Sequence, residues 1–265
     1  MQKLFLFSCI LQNKKEFTLL SVLISCLFNR LENVEKVIKS KVVYVEYVVI
    51  VQGTNQDTLS TFKECNLWTN RDDLKIICDP NIGVTYSRNL AIEHANGDLA
   101  LFTDDDVTLC DDFIELVNES FLYNKNCDFL TFNVEDENGD FLKPPLSKKE
   151  HNLRTILGVG TIQIAVRLNA LTRTYKFPLN LGAGAKYPCC DEPVYLSIFL
   201  NQGHKGMHIH KTICQHPKES SGSSLDSYVK VISRLIAFKY IFGKGLGYIF
   251  FIVFIMKNIN KVFTK

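Results

Sequence analysis

"LALFTDDDVTLCDDF", residues 99–113, decides the fold: an apolar run that reads as a buried strand ends in three consecutive aspartates, Asp104, Asp105 and Asp106. Like charges at that spacing repel and resist loss of water, so the cluster costs stability unless positive groups face it. Working outward, three more apolar runs lie upstream, at Leu19–Cys26, Val42–Val51 and Leu74–Cys78, each closed by polar turn residues. Between the runs, "RLENVEKVIKS", "DTLSTFKECN" and "TYSRNLAIEHANG" carry helical spacing. Strands alternating with helices predict βαβ units: an α/β fold with a mostly parallel sheet flanked by helices. Ligands of such sheets bind beyond the carboxyl ends of the strands. The aspartates therefore belong at a ligand-binding edge.

The second half is less regular. "CDFLTFNV" reads as a strand, the polar stretch from Glu135 to Asn152 as a loop, and "VGTIQIAVRL" and "GMHIH" as further strand-like segments. No internal repeat or low-complexity linker divides the chain. The reading is one domain over residues 19–217, with a nucleotide-binding half (19–110) and an acceptor-binding half (111–217), followed by a helical extension over 225–265.

Composition narrows the class. With 46% hydrophobic and 11% aromatic residues among 265, the chain has the material for a sizeable core. A formal charge of +2 argues against a nucleic-acid partner. Nine cysteines, odd in number and without a CxxC pair, predict reduced thiols and a cytoplasmic setting rather than disulfides or a zinc site. The N-terminal apolar run lacks a small-residue cleavage site, so no cleaved signal peptide is expected. After Asp226 the sequence holds seven lysines and arginines and no acid, set among aromatics and aliphatics in "LIAFKYIFGKGLGYIFFIVFIMK". The unbroken apolar part, Leu246 to Met256, is too short to span a bilayer. Two readings remain for it: an interfacial anchor on an anionic inner leaflet, or a helix pair packed on the domain.

Three ordered stretches carry a family resemblance. "SVLISCLFNRLENV", "NIGVTYSRNLAIEHANGDLALFTDDDV" and "LGAGAKYPCCDEPVYLSIFLNQGHK" resemble the opening strand and N-R turn, the R-N helix with its D-x-D strand end, and the glycine loop and E-D helix start of family 2 glycosyltransferases. The resemblance covers residues 19–217 and implies a GT-A fold. It also implies inverting transfer of a sugar from a nucleotide-sugar donor, UDP-sugars foremost, to a hydroxyl acceptor such as a glycan or lipid-linked chain of the cell surface.

Such chemistry expels a diphosphate, whose growing charge a divalent cation stabilises as a Lewis acid. Mg²⁺ or Mn²⁺ suits carboxylate and phosphate oxygens. Asp104 and Asp106 share a side by the two-residue strand period and become the metal residues, with Asp104 and Asp105 also on the donor. By resemblance Cys26, Phe28 and Arg30 line the nucleobase pocket. Gln52 or Asn55 takes the place of an absent aspartate after the second strand, with Asp57 as a displaced substitute. Arg88 orients the carboxylates, meets a phosphate, or forms a structural ion pair with Asp104 or Asp105. His216 follows the last strand and is the candidate for the metal or diphosphate; His208 and His210 share a strand face without a third ligand.

Gly182 and Gly184 permit close approach of an acceptor. Asp191–Glu192 stands where the family has an E-D pair, in reversed order, and Glu192 falls at the base position, Asp191 beside it. The bland alternative is that both acids only favour the helix dipole. The kinase and dinucleotide-dehydrogenase glycine motifs are missing. Two further readings stay open: a catalytically impaired sugar-nucleotide-binding or scaffold protein of the same fold, and a sugar nucleotidyltransferase.

Overall fold

A computed structural model of the protein describes residues 17–61, 71–144, 146, 149–217, 225 and 227–260. The reading of the N-terminal apolar run and the second half of "DTLSTFKECN" lie outside the described residues. The first four strands are β1 (Leu20–Leu27), β2 (Val45–Gln52), β3 (Leu74–Asp79) and β4 (Leu99–Asp104). Their near-continuous apolar runs suit strands covered on both faces. β1 pairs in parallel with β2 and β4, and β2 with β3. β2 starts at Val45 rather than Val42, because Val42, Val43 and Tyr44 face solvent.

The helical segments form as the 3₁₀ turn Phe28–Asn33 followed by the short α1 (Val34–Val37), then α2 (Gln56–Thr61) and α3 (Val84–His94). The second half supplies β5 (Thr108–Leu109), α4 (Phe113–Tyr123), β6 (Phe129–Glu135), β7 (Ile164–Arg167), α5 (Asp191–Asn201) and β8 (Gly206–Gln215). Together the strands make one sheet in the order β3-β2-β1-β4-β7-β6-β8-β5. β7 runs antiparallel between β4 and β6, and β8 lies parallel to β6. Two apolar clusters, one on each side, hold the helices to the sheet.

Register brings the site together. Ser25 of β1 lies opposite Asp104 of β4, and Leu27 opposite Gln52 of β2. The carboxyl ends of three neighbouring strands thus open on one edge.

The extension folds as α6 (Tyr228–Phe242) and α7 (Lys244–Lys257), turning at Gly243 with φ +77°. Phe242 meets Phe250 and Phe238 meets Phe254, so the helices run antiparallel. α6 packs on the domain through Ala237 and Ile241 against Leu181 and Val194. The structure thus realises the packed helix pair, while Leu246, Ile249, Ile252, Val253 and Met256 of α7 stay exposed. Among the described residues no helix is long and apolar enough to cross a membrane.

Candidate active site

A cavity of about 890 Å³ opens over the carboxyl ends of β1, β2 and β4. Cys26, Arg30, Gln52, Arg88, Asp104, Asp105, Asp106, Gly184, Asp191, Glu192 and His216 all line it. Residues from sequence positions 25 to 254 therefore converge on one space.

The aspartate cluster is offset by the protein's own cations. Asp105 turns inward, its side chain only 5% exposed, and meets Arg30 Nη2 at 2.6 Å. Asp106 receives the same nitrogen at 2.8 Å and His216 Nε2 at 3.2 Å. Asp104 faces Arg88 at 3.5 Å. These settings pull the three acids apart electrostatically. Burial pushes Asp105 up to about 6, while His216 and Arg30 hold Asp106 down at about 2. Burial, opposed by Arg88, also raises Asp104. His216 Nδ1 donates to the Pro217 carbonyl at 2.6 Å, and the Asp106 contact raises the ring's pKa. In that state His216 is a cation beside the carboxylate; ligation of a metal through Nε2 requires losing that proton.

Arg88 is the hinge between the aspartates and the acid pair. Buried on α3, it gives Nη1 to Asp191 Oδ2 at 2.6 Å and approaches Glu192 Oε1 at 3.8 Å, with its Cζ 5.6 Å from the centroid of the Phe177 ring. The ion pair with Asp104 was legible in the sequence; the closer one with Asp191, 103 residues away, was not. Its neighbour Asn89 clamps the backbone of Phe177 with two hydrogen bonds, Nδ2 to the carbonyl and the amide to Oδ1. The helix carrying Arg88 is thereby fixed on the loop before α5.

The two acids at the start of α5 differ. Asp191 is 4% exposed and pinned by Arg88, whereas Glu192 is 19% exposed and accepts a hydrogen bond from Thr161 Oγ1 at 2.6 Å. Burial and the Glu192 charge push Asp191 up to about 7. Burial opposes ionisation of Glu192 too, but Arg88 and Thr161 outweigh it and hold that carboxyl below its ordinary range. Thr161 carried no signal in the sequence, because its partner lies 31 residues on. The same holds for Lys143 and for Arg234, Phe238, Ile241 and Phe254 of the extension, which complete the cavity wall.

Other assignments separate. Phe28, in the 3₁₀ turn, packs half-buried against the core and is not among the residues that line this cavity. Asn55 accepts from Thr58 N and Oγ1, capping α2, and neither it nor Asp57 lines the cavity. Gln52 lines it while its Oε1 accepts from Gly83 N at 2.8 Å. Gly184, at φ +81°, reaches the cavity; Gly182, at φ +97°, packs instead against Thr85 and Asp191, where a Cβ would stand 2.8 and 3.0 Å from their carbons. His208 is buried between Thr131 and Asn133.

For a divalent cation, Asp104 and Asp106 present hard oxygen donors at the cavity, their side chains 33% and 35% exposed. Among the described residues no three acids, cysteines or histidines cluster as a ready ligand set. Two carboxylates with substrate phosphates and water are a usual Mg²⁺ arrangement, so the residues fit a cation brought with a diphosphate.

Comparison with known proteins agrees with this architecture. Solved structures of TarS from S. aureus share the fold. Its fragment 1–349 superposes with a TM-score of 0.60 at 16% identity over 86% of this chain and 66% of that one. The same fragment in complex with UDP-GlcNAc gives 0.59 at 18% identity, covering 92% and 72%. A further TarS structure gives 0.61 at 17%, covering 93% of this chain and 44% of that one, so this chain spans less than half of that chain. No curated protein sequence matches. The family model described as glycosyl transferase family 2 matches residues 21–177, from the first strand through the aspartates to Phe177, and the chain belongs to that family.

Proposed function

We propose that the protein transfers a sugar from a nucleotide-sugar donor, foremost a UDP-sugar, to a hydroxyl of a glycan or lipid-linked acceptor in cell-surface polysaccharide synthesis. The observation that carries this is the convergence of Asp104, Asp106 and Glu192 on one cavity, where Arg88 links Asp104 to Glu192. The complexes of TarS with UDP and UDP-GlcNAc favour a uridine donor.

The acceptor hydroxyl attacks the anomeric carbon as the bond to the diphosphate oxygen breaks, inverting that centre. Glu192 accepts the hydroxyl proton; it has the more exposed carboxylate of the two, steadied by Thr161, whereas Asp191 is held by Arg88. Such a base contributes about 10²–10⁴-fold. Asp104 and Asp106 would hold Mn²⁺ or Mg²⁺, which would supply Lewis-acid stabilisation of the leaving diphosphate. Cys26, Gln52 and Arg30 border the donor; Gly184, with the wall made by α6, borders the acceptor. The exposed apolar face of α7 and its lysines support a peripheral position for the enzyme on the cytoplasmic face of a membrane.

A thermal-shift screen of UDP-, GDP- and dTDP-sugars with and without Mn²⁺ tests the reading, because a ligand of the folded state raises its stability by mass action. Stabilisation by a UDP-sugar that needs Mn²⁺, lost in Asp106→Asn, is expected. Stabilisation by no sugar nucleotide would sink it. Donor binding without turnover to nucleoside diphosphate would favour the scaffold alternative.

A further inference from the structure

Seven cysteines are described, all as free thiols. Five of them, Cys26, Cys78, Cys110, Cys127 and Cys214, are pushed up by burial, which disfavours the reactive thiolate. Cys189 and Cys190 differ in position, geometry and surroundings. They are adjacent in sequence, both line the cavity, and their sulfurs lie 3.6 Å apart. Arg234 Nη1 of α6 points at Cys189 Sγ from 3.6 Å. Cys190 has φ +72°, the one left-handed non-glycine residue among the described residues, and stands directly before Asp191 at the start of α5. Strained backbone of this kind persists where the surroundings over-determine it. Here it turns two successive side chains toward the same space instead of opposite sides.

We propose that Cys189 and Cys190 form a dithiol site in the cavity wall that takes a thiophilic trivalent arsenical, R–As=O, as a covalent ligand bridging both sulfurs. Two As–S bonds form, the As=O oxygen leaves as water with the two thiol protons, and arsenic stays trivalent, so no oxidant or reductant is needed. The Arg234 guanidinium favours the nucleophilic thiolate at Cys189, in keeping with the lowering of that thiol to about 6 through its Cys190 contact and Arg234. The R group then occupies cavity space beside Glu192 and Phe238, on the side where the proposed function puts the acceptor. That blocking consequence rests on the proposed function; formation of the adduct does not.

Intact and peptide-level mass spectrometry of the full chain with one equivalent of phenylarsine oxide tests the site. One adduct is expected on the peptide holding Cys189 and Cys190, released by 2,3-dimercaptopropanol and missing in Cys189→Ser and Cys190→Ser. Cys190→Gly relieves the left-handed backbone while removing the thiol, so loss of the adduct in that variant, with an unchanged melting temperature, assigns the effect to sulfur rather than to folding. An adduct on other cysteines with this pair unmodified, or one that survives in either serine variant, overturns the proposal. Sugar transfer is then measured on the adduct. An adduct that forms while transfer continues leaves the dithiol site standing and overturns only its place on the acceptor path.

Discussion

Arg88 shows at the scale of one residue how the site is balanced. A buried guanidinium without partners is strongly unfavourable, and here three carboxylates from β4 and α5 share it: Asp191 at 2.6 Å, Asp104 at 3.5 Å and Glu192 at 3.8 Å. The shortest contact belongs to the acid with the least exposure, so in the proposed function Asp191 is the structural partner and Glu192 the one that meets the substrate. The two roles separate in a pair of variants. Asp191→Asn removes the main counter-charge of Arg88 and is expected to cost about 2–3 kcal/mol, below the usual cost of breaking a buried pair because two acids remain; urea unfolding reads it. Glu192→Gln is expected to unfold near the wild-type midpoint and to lose at least about a hundredfold in transfer, the share of a general base, with donor affinity intact. Normal transfer by Glu192→Gln together with a crippled Asp191→Asn would move the base to Asp191.

Among the elements, the α6–α7 hairpin changes how the cavity is understood, since its inner side supplies part of the wall. The crossing depends on Gly247: a Cβ there would stand 2.7 Å from the Phe238 carbonyl oxygen and 2.8 Å from Lys239 Cα, both backbone. Gly247→Val is therefore expected to force the helices apart, raise the rate of proteolysis within residues 243–257, and weaken acceptor binding with donor affinity unchanged. Equal protease resistance and an unchanged acceptor KM would show that the crossing tolerates the side chain. The four strands β1 to β4 and the aspartate tip were legible in the sequence because their signals are local: an apolar run, a turn, a run of charge. The wall made by α6 was not legible, since an apolar basic helix reads alike whether its apolar side meets protein or lipid. Nor was Thr161 beside Glu192, or Phe28 packing against the core, because neither contact leaves a periodic trace.

For the molecule as a whole, acid and lipid probe different parts of the same fold. Beneath the sheet edge, His151 and His208 are buried and joined through Thr131: Oγ1 lies 2.7 Å from His151 Nε2 and 2.9 Å from His208 Nδ1, and His208 Nε2 lies 3.0 Å from Asn133 Oδ1. A carbonyl oxygen at Nε2 of His208 requires a proton on that nitrogen, so Nδ1 accepts from the threonine and the ring is neutral. Burial, with the neighbouring histidine, pushes both rings down to about 4. Below about 6.5 the unfolded chain binds protons that the folded one refuses, so stability falls as pH drops from about 6.5 to 4, on the order of 2 kcal/mol per ring by pH 5. Urea unfolding of wild type and His151→Gln at pH 7 and pH 5 reads this; equal pH slopes in the two proteins would count against it.

Lipid tests the outer face of the extension. Leu246, Ile249, Ile252, Val253 and Met256 recur at helical spacing on the outside of α7, and Lys239, Lys244 and Lys257 are the nearby charges, with no acid after Asp226. An apolar stripe edged by cations fits an anionic bilayer surface better than a neutral one, and Phe254 of the same helix lines the cavity, so a chain seated this way turns the proposed acceptor side toward lipid. Full-length protein is expected to float with vesicles containing phosphatidylglycerol and to stay behind with pure phosphatidylcholine. Raising salt to about 0.5 M, which shortens the screening length to a few ångströms, is expected to release part of it, and Ile249→Glu with Ile252→Glu all of it, with donor binding unchanged. Protein that ignores anionic vesicles but sediments as a dimer, and returns to monomer in the same double variant, would assign the face to a second copy of the chain.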